Sequence, residues 1–392
     1  MSFEPIAGDF YGYQNDLTAQ EKDALAALRA HLETEVKPIV NEYWERAEFP
    51  RQVIAPLHAL GVASFGWEET RPFENSAVFR GFVALELARV DASVATYVGV
   101  QNGLAAGAIS ACGSAQQRAN WLPKLAAGEV IGAFGLTEPL SGSDSAQGLR
   151  TTAARDGDHW VLNGSKRWIG NATFSDITVI WAKDAADGQV KGFIVPMSTP
   201  GCTATKIEGK QSLRIVQNAD ITLQDVRVPE SLRLQNANSF KDTARVLRAT
   251  RAEVAWAAVG LAVGAYEAAL RYAKERIQFG KPIGAHQLVQ DLLVKSLGNI
   301  TASLGMVVQV SKMLDNGVQR DEHSALAKAF TTSRMRETVA WCRELLGGNG
   351  IVIDYDVARF FADAEAIYSY EGTQEMNTLI VGRSITGMPA FV

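Results

Sequence analysis

The sequence predicts an α+β protein in three consecutive regions: an N-terminal helical domain (residues 1–130), a middle β-barrel-like domain (131–232) and a C-terminal four-helix-bundle domain (233–392). Three observations carry this expectation. Apolar residues recur at three- and four-residue steps in both end regions. In the middle, turn dipeptides separate short runs of β-branched and aromatic residues. No long helical pattern lies between those runs, which argues against βαβ units and for a compact, mostly antiparallel sheet or barrel. The 392 residues fit two or three domains of about 100 to 200 residues each.

The first helix begins at Thr18, whose hydroxyl with Glu21 forms a capping box. Leu25, Leu28, Leu32, Val36 and Ile39 then make an amphipathic stripe. Further helices are expected over about residues 75–110 and 114–126. In the middle region Asp156-Gly157, Asn163-Gly164 and Asp187-Gly188 mark turns, and HWVLNG, DITVIWAK, KGFIVP and ADITLQDVRVP read as strands. After Pro229 the helical period returns, with long helices expected over about 240–272, 284–314, 322–348 and 354–365. The boundaries between such layers are common ligand sites.

Composition narrows the function. Hydrophobic residues at 47% and charged residues at 21% are ordinary globular usage. The formal charge of −5 (38 Lys plus Arg against 43 Asp plus Glu) disfavours nucleic acid as a partner. Cys112, Cys202 and Cys342 are odd in number and far apart, which predicts a reducing compartment, the cytoplasm by default. The apolar stretch 254–270 contains Glu267 and is short for a membrane span, so no span is expected. The start has neither a basic-then-apolar signal nor an Arg-rich transit pattern. The five histidines show no metal-ligand spacing, so no metal site is expected. Nucleotide-binding glycine loops and a nucleophile elbow are also missing.

Two segments stand out. Residues 134–145, FGLTEPLSGSDS, combine small and hydroxyl residues with Gly and Pro, which suits an anionic or heteroaromatic ligand or, equally, a loop entering the β domain. Glu371, in Tyr370-Glu371-Gly372-Thr373, follows apolar sequence. It reads either as a desolvated base of raised pKa or as a helix N-terminal carboxylate. Gly347-Gly348 by themselves read as a helix C-terminal stop, Trp168 as a core aromatic, and Arg251 as a salt-bridge residue.

Together FGLTEPLSGSDS, KRWIGN, ERIQFGKPI with Gln287, LLGGNGI and YEGT resemble, in order and spacing, the motifs of the acyl-CoA dehydrogenase flavoproteins over nearly the whole chain. ARVDAS, LRIVQNADI, NSFKDTARVL, RELLGGNGI and GRSITG resemble most the branch of glutaryl-CoA dehydrogenases and plant short-chain acyl-CoA oxidases. The resemblance implies FAD-dependent α,β-dehydrogenation of a short- or medium-chain acyl-CoA. Glu371 would take the α-proton while a hydride passes to flavin N5. It implies that Phe134, Leu136 and Thr137 lie beside the ring, that Gly142 and Ser143 lie near the flavin and CoA phosphates, and that Trp168, Ile169 and Gly170 flank the ring. Arg276, Gln278, Phe279 and Gln287 would reach the ADP part from a neighbouring subunit, with Glu344, Gly347 and Gly348 on the adenine side. Thr373, Glu375 and Phe391 complete the cofactor set. Ser143, Arg251, Tyr370 and Gly372 would meet substrate. Many relatives carry Thr at Gly170 and Gln at Glu344, so those two contacts differ here.

Some relatives carry the base at a position matching Thr250, which cannot serve; Glu253, three residues on, reads as structural. Glutaryl-specific relatives carry an arginine where Ala95 stands, so a dicarboxylate clamp is not expected. The family implies a homotetramer and electron-transfer flavoprotein as acceptor, in fatty acid metabolism. Glutaryl-CoA dehydrogenase, acyl-CoA oxidase and a non-catalytic CoA-binding scaffold are the alternatives.

Overall fold

The computed structural model describes residues 4–390; the Phe391 expectation lies outside them. Helices α1 (Ala19–His31), α2 (Lys37–Arg46), α3 (Ile54–Ala59), α4 (Ala77–Val90), α5 (Ala92–Val98), α6 (Gly107–Cys112) and α7 (Ala115–Ala127) form the first layer. The α1 capping box is present: the Thr18 hydroxyl accepts from Glu21 N–H at 3.2 Å, and Glu21 accepts from Thr18 N–H at 2.9 Å. Leu25, Leu28, Leu32 and Val36 are buried as the spacing requires, and Val40 rather than Ile39 continues the buried stripe.

The single helix expected over 75–110 is interrupted. Asp91 leaves the helical conformation with φ −156° and caps α5 by accepting from Val94 N–H at 2.8 Å. Its other oxygen accepts from Arg359 at 2.6 Å, inside the core. A buried ion pair therefore fixes the break, and tertiary structure overrides the continuous apolar pattern. Beyond α5 the helix widens into a π-helical segment, Gly99–Ala106.

The middle layer is a seven-stranded sheet: β1 (Gly132–Gly135), β2 (Thr152–Asp156), β3 (His159–Ile169), β4 (Ile177–Asp184), β5 (Val190–Pro196), β6 (Cys202–Lys206) and β7 (Ala219–Pro229), with the short helix α8 (Ser145–Gly148) before β2. The path runs β1-β4-β2-β3-β7-β6, and β5 pairs with β4. The four strands read from the sequence are β3, β4, β5 and β7; β1, β2 and β6 escaped because each is only four or five residues long. Most pairings are antiparallel, but β4 lies parallel to β1 and to β2.

The last layer contains α9 (Phe240–Glu275), the hairpin β8 (Ile277–Gln278) and β9 (Lys281–Pro282), then α10 (Gln287–Asp315), α11 (Asp321–Leu345), α12 (Val357–Ser369) and α13 (Gln374–Thr386). Helix α13 has no counterpart among the expected helices. Helix α9 is the axis of the molecule: it packs against α4, α10, α11 and α12, and residues 254–263 are buried throughout. Its apolar run and that of α10 are long enough to cross a membrane, and in α9 the run is core. At α10 the outer face leaves Leu288 and Val294 exposed.

Candidate active site

The loop between α12 and α13 projects Glu371 toward the first half of α9. Both Glu371 (φ 53°) and Gly372 (φ 79°) adopt the left-handed conformation. For a glutamate this costs roughly 1–2 kcal/mol, so the surroundings must enforce it. Lys328 of α11, itself buried, does so by donating to the carbonyls of Tyr368 (2.9 Å) and Gly372 (2.7 Å). Asn377 donates to the carbonyls of Gly372 and Thr373, both at 2.9 Å. The Thr373 hydroxyl caps α13 by accepting from Met376 N–H at 3.3 Å.

Glu371 is therefore not a helix N-terminal carboxylate. That position belongs to Glu375, in the exposed first turn of α13, whose pKa is lowered by a backbone hydrogen bond and by Thr373. Glu371 is half-buried, and desolvation raises its pKa against the opposing pull of Arg251, the neighbouring Thr250 hydroxyl and Lys328. Its backbone N–H has no acceptor within the protein among the described residues. An unpaired N–H beside a desolvated carboxylate is what a reaction needs if it withdraws a proton and stabilises negative charge on a nearby carbonyl oxygen.

Arg251 forms an ion pair with Asp321 at the start of α11 and approaches Gly372: a Cβ placed on that glycine would lie 4.0 Å from Arg251 Nε. Tyr370 is half-buried, and desolvation raises its pKa, opposed by a bond to Thr96. So Glu371, Arg251, Tyr370 and Gly372, expected together from the sequence, do converge.

Glu253 joins them, which the sequence reading missed. Its pKa is raised to about 7 by burial and then by the charge of Glu371. The missed signal was its spacing: three residues after Thr250, it shares that residue's helical face. Lys328 was also missed, because a lysine seventeen residues before an apolar helix end carries no motif.

The other candidate residues lie in two further places. Phe134 and Leu136 are buried in the core, Phe134 against Trp181 with ring centroids 6.0 Å apart, so they offer a ligand backbone rather than side chains. Thr137 is half-buried and its hydroxyl has no protein partner among the described residues; Gly142 and Ser143 are exposed on the following loop. Lys166 fixes this loop from below, donating to Leu136 O at 3.2 Å and to Glu138 at 2.8 Å. Trp168 is not the core aromatic its strand suggests: it is 51% exposed with φ 64°, under the Arg167 guanidinium. Ile169 is core, and Gly170 abuts Val100 so closely that a Cβ would meet it at 3.1 Å. The threonine of many relatives would therefore crowd this position.

Arg276, Gln278, Phe279 and Gln287 occur at and after the far end of α9, all exposed, Phe279 at 93%. At 1.5 Å per helical residue they stand roughly 35 Å along α9 from Thr250. Glu344, Gly347 and Gly348 are exposed at the far end of α11. A single protomer therefore does not bring these residues to Glu371.

FAD fits the chain's donor set. Trp168 is exposed, the Thr137 hydroxyl has no protein partner, Gly142 faces open space, and the buried acceptors Gln374 Oε1 and Asn377 Oδ1 lack protein partners among the described residues. These features, with the desolvated carboxyl of Glu371, suit a flavin beside a proton acceptor.

Family models agree. The N-terminal, middle and C-terminal acyl-CoA dehydrogenase domains match residues 18–129, 133–226 and 240–386, and the chain belongs to the acyl-CoA dehydrogenase family. It is 32% identical to the mitochondrial short-chain specific acyl-CoA dehydrogenase of Mus musculus, over 90% of this chain and 87% of that protein. A Mycobacterium smegmatis glutaryl-CoA dehydrogenase solved in complex with FADH2 superposes with TM-score 0.94 at 34% identity, covering 99% of this chain and 100% of that one. The CarC subunit of the caffeyl-CoA reductase-Etf complex of Acetobacterium woodii is 31% identical over 88% of this chain and 92% of that protein.

Proposed function

We propose that the protein is an FAD-dependent acyl-CoA dehydrogenase acting on short- or medium-chain thioesters that lack a distal carboxylate. The observation that carries this reading is Glu371: a desolvated carboxylate with an unpaired N–H, held in a left-handed loop by Lys328 and Asn377. Bound FAD supplies the hydride acceptor. Glu371 takes the α-proton, and its N–H donates to the thioester oxygen as charge builds there. Thr137, Trp168 and Gly170 would hold the flavin; Ser143 and Arg251 would meet the CoA ester.

The acyl side supports a chain without a terminal carboxylate. Ala95 lies on α5 beside Thr96, which meets Tyr370, and residues 92–107 contain no Lys or Arg. A glutaryl carboxylate would find no counter-charge there, and Arg251 is engaged by Asp321.

The exposed Arg276–Gln287 segment supports an assembly in which it serves a neighbour's cofactor, for which a homotetramer is the proposed state, in the cytoplasm. CarC's membership of an Etf complex supports electron-transfer flavoprotein as the acceptor, and fatty acid breakdown is the proposed setting. Anaerobic titration of FAD-loaded protein with butyryl-, hexanoyl- and glutaryl-CoA tests the reading: bleaching by the first two is expected, and bleaching by glutaryl-CoA alone would overturn the substrate assignment.

A further inference from the structure

Glu253 is a second carboxyl beside Glu371, and the structure gives it room but no partner among the described residues. Gly103, in the widened π-helical segment, faces it: a Cβ there would lie 2.7 Å from Glu253 Oε2 and 3.2 Å from Thr250 Cγ2. A Cβ at Gly99, one helical turn earlier, would stand 3.6 Å from Oε1. Any larger residue at 103 would displace the carboxyl. The two glycines therefore form the notch in which Glu253 sits, between the 99–106 segment and the Glu371 loop.

Every nearby cation is committed elsewhere. Arg251 is paired with Asp321, and Lys328 donates to the carbonyls of Tyr368 and Gly372. No hydrogen bond or ion pair reaches Glu253 among the described residues, and its charged neighbour is the like-charged Glu371. A half-buried carboxylate with no counter-charge is costly on its own, whereas a bound cation would turn that cost into attraction, strengthened by the partly desolvated surroundings.

We propose that Glu253 sets substrate specificity by pairing with a protonated nitrogen carried on the acyl chain beyond the β-carbon, so that the preferred substrates are cationic acyl-CoA thioesters. This rests on the dehydrogenase reading above and names the substrate class for the same site. Glu371 remains the base at the α-carbon, while Glu253 selects the chain and rejects carboxylate tails by like charge.

The test compares kcat/KM for 4-guanidinobutyryl-CoA with that for hexanoyl-CoA, a neutral chain of similar length, in wild type and Glu253→Gln, with butyryl-CoA as the reference thioester. The expected guanidino-to-hexanoyl ratio is about tenfold or more in wild type and near one in Glu253→Gln, a change of about 1.4 kcal/mol. A second readout needs no turnover: calorimetric Kd values for the same two thioesters on FAD-loaded Glu371→Gln and Glu253→Gln/Glu371→Gln proteins should show the same preference and the same loss. A wild-type ratio of one or below, or a ratio unchanged by Glu253→Gln, overturns the proposal, and butyryl-CoA oxidation would then leave the dehydrogenase reading standing. Failure of all three thioesters to reduce bound FAD would overturn that reading and this inference with it.

Discussion

Two regions of the molecule bury acids in opposite ways. In the sheet layer, Glu138 accepts from Lys166 at 2.8 Å and from the N–H groups of Arg150 and Thr151 at 2.7 and 2.9 Å. Burial pushes its pKa up, but Lys166 and Thr151 outweigh this and hold it below the usual range, while burial lowers the Lys166 ammonium to about 8. In the cleft, Glu371 and Glu253 face each other with their cations shared or absent, and both carboxyls are raised. The first arrangement gives both carboxylate oxygens a donor and fixes a loop. The second leaves protonation free energy in reserve, which is why the proposed chemistry is assigned there.

Removing the proposed base, Glu371, should have the largest effect. Glu371→Gln is expected to retain FAD yet slow substrate-driven flavin bleaching by about 10²–10⁴-fold; bleaching at the wild-type rate would remove the assignment. The matching change in the sheet acts on stability instead. Glu138→Gln strands the Lys166 charge in the core and should lower unfolding free energy by about 3–5 kcal/mol, read from denaturant midpoints. An unchanged midpoint would mean that the pair is not held as described.

Glu253→Gln should behave oppositely to Glu138→Gln, and the sign depends on pH. Its folded pKa of about 7 lies above the ordinary 4.5, so folding favours the protonated acid. The stability this contributes is complete below about pH 4.5 and is lost as pH rises to about 7. Glutamine does not titrate, so the variant should gain on wild type across that window, by on the order of 2–3 kcal/mol, and hold the gain above it. Asp363, also raised to about 7 by burial, is common to both proteins and cancels in the comparison. Thermal midpoints at pH 5 and pH 8 measure the difference; a constant offset would place Glu253 in water. The smallest effect is expected from Thr250→Val. The hydroxyl lowers the Glu371 pKa, so its loss should move the pH profile of the bleaching rate upward.

The legibility of the two regions differs as well. The segment 134–145 was visible as a turn-rich motif, because backbone demands write themselves into Gly, Pro and Ser. The Lys166–Glu138 pair behind it was not, since its partners are separated by 28 residues and meet only through the sheet. Glu371 stands out by its neighbours in YEGT, whereas Glu253 reads as structural. Its notch is made of Gly99 and Gly103, about 150 residues upstream, and no spacing rule relates an acid on one helix to missing side chains on another. Trp168 shows the limit of strand periodicity, which by itself suggests burial, whereas a left-handed φ at the strand end turns the side chain outward.

By itself the sequence determined the three-layer order, the α1 cap, the main strands and the residues of the loop that bears the base, because local hydrogen bonding and side-chain periodicity act between near neighbours. Tertiary structure alone decided the break at Asp91, the left-handed turn imposed on Glu371 by Lys328 and the meeting of Glu371 with Glu253. Each of these depends on charges and carbonyls brought together from elements 40 to 268 residues apart, where desolvation rather than sequence spacing sets the energy.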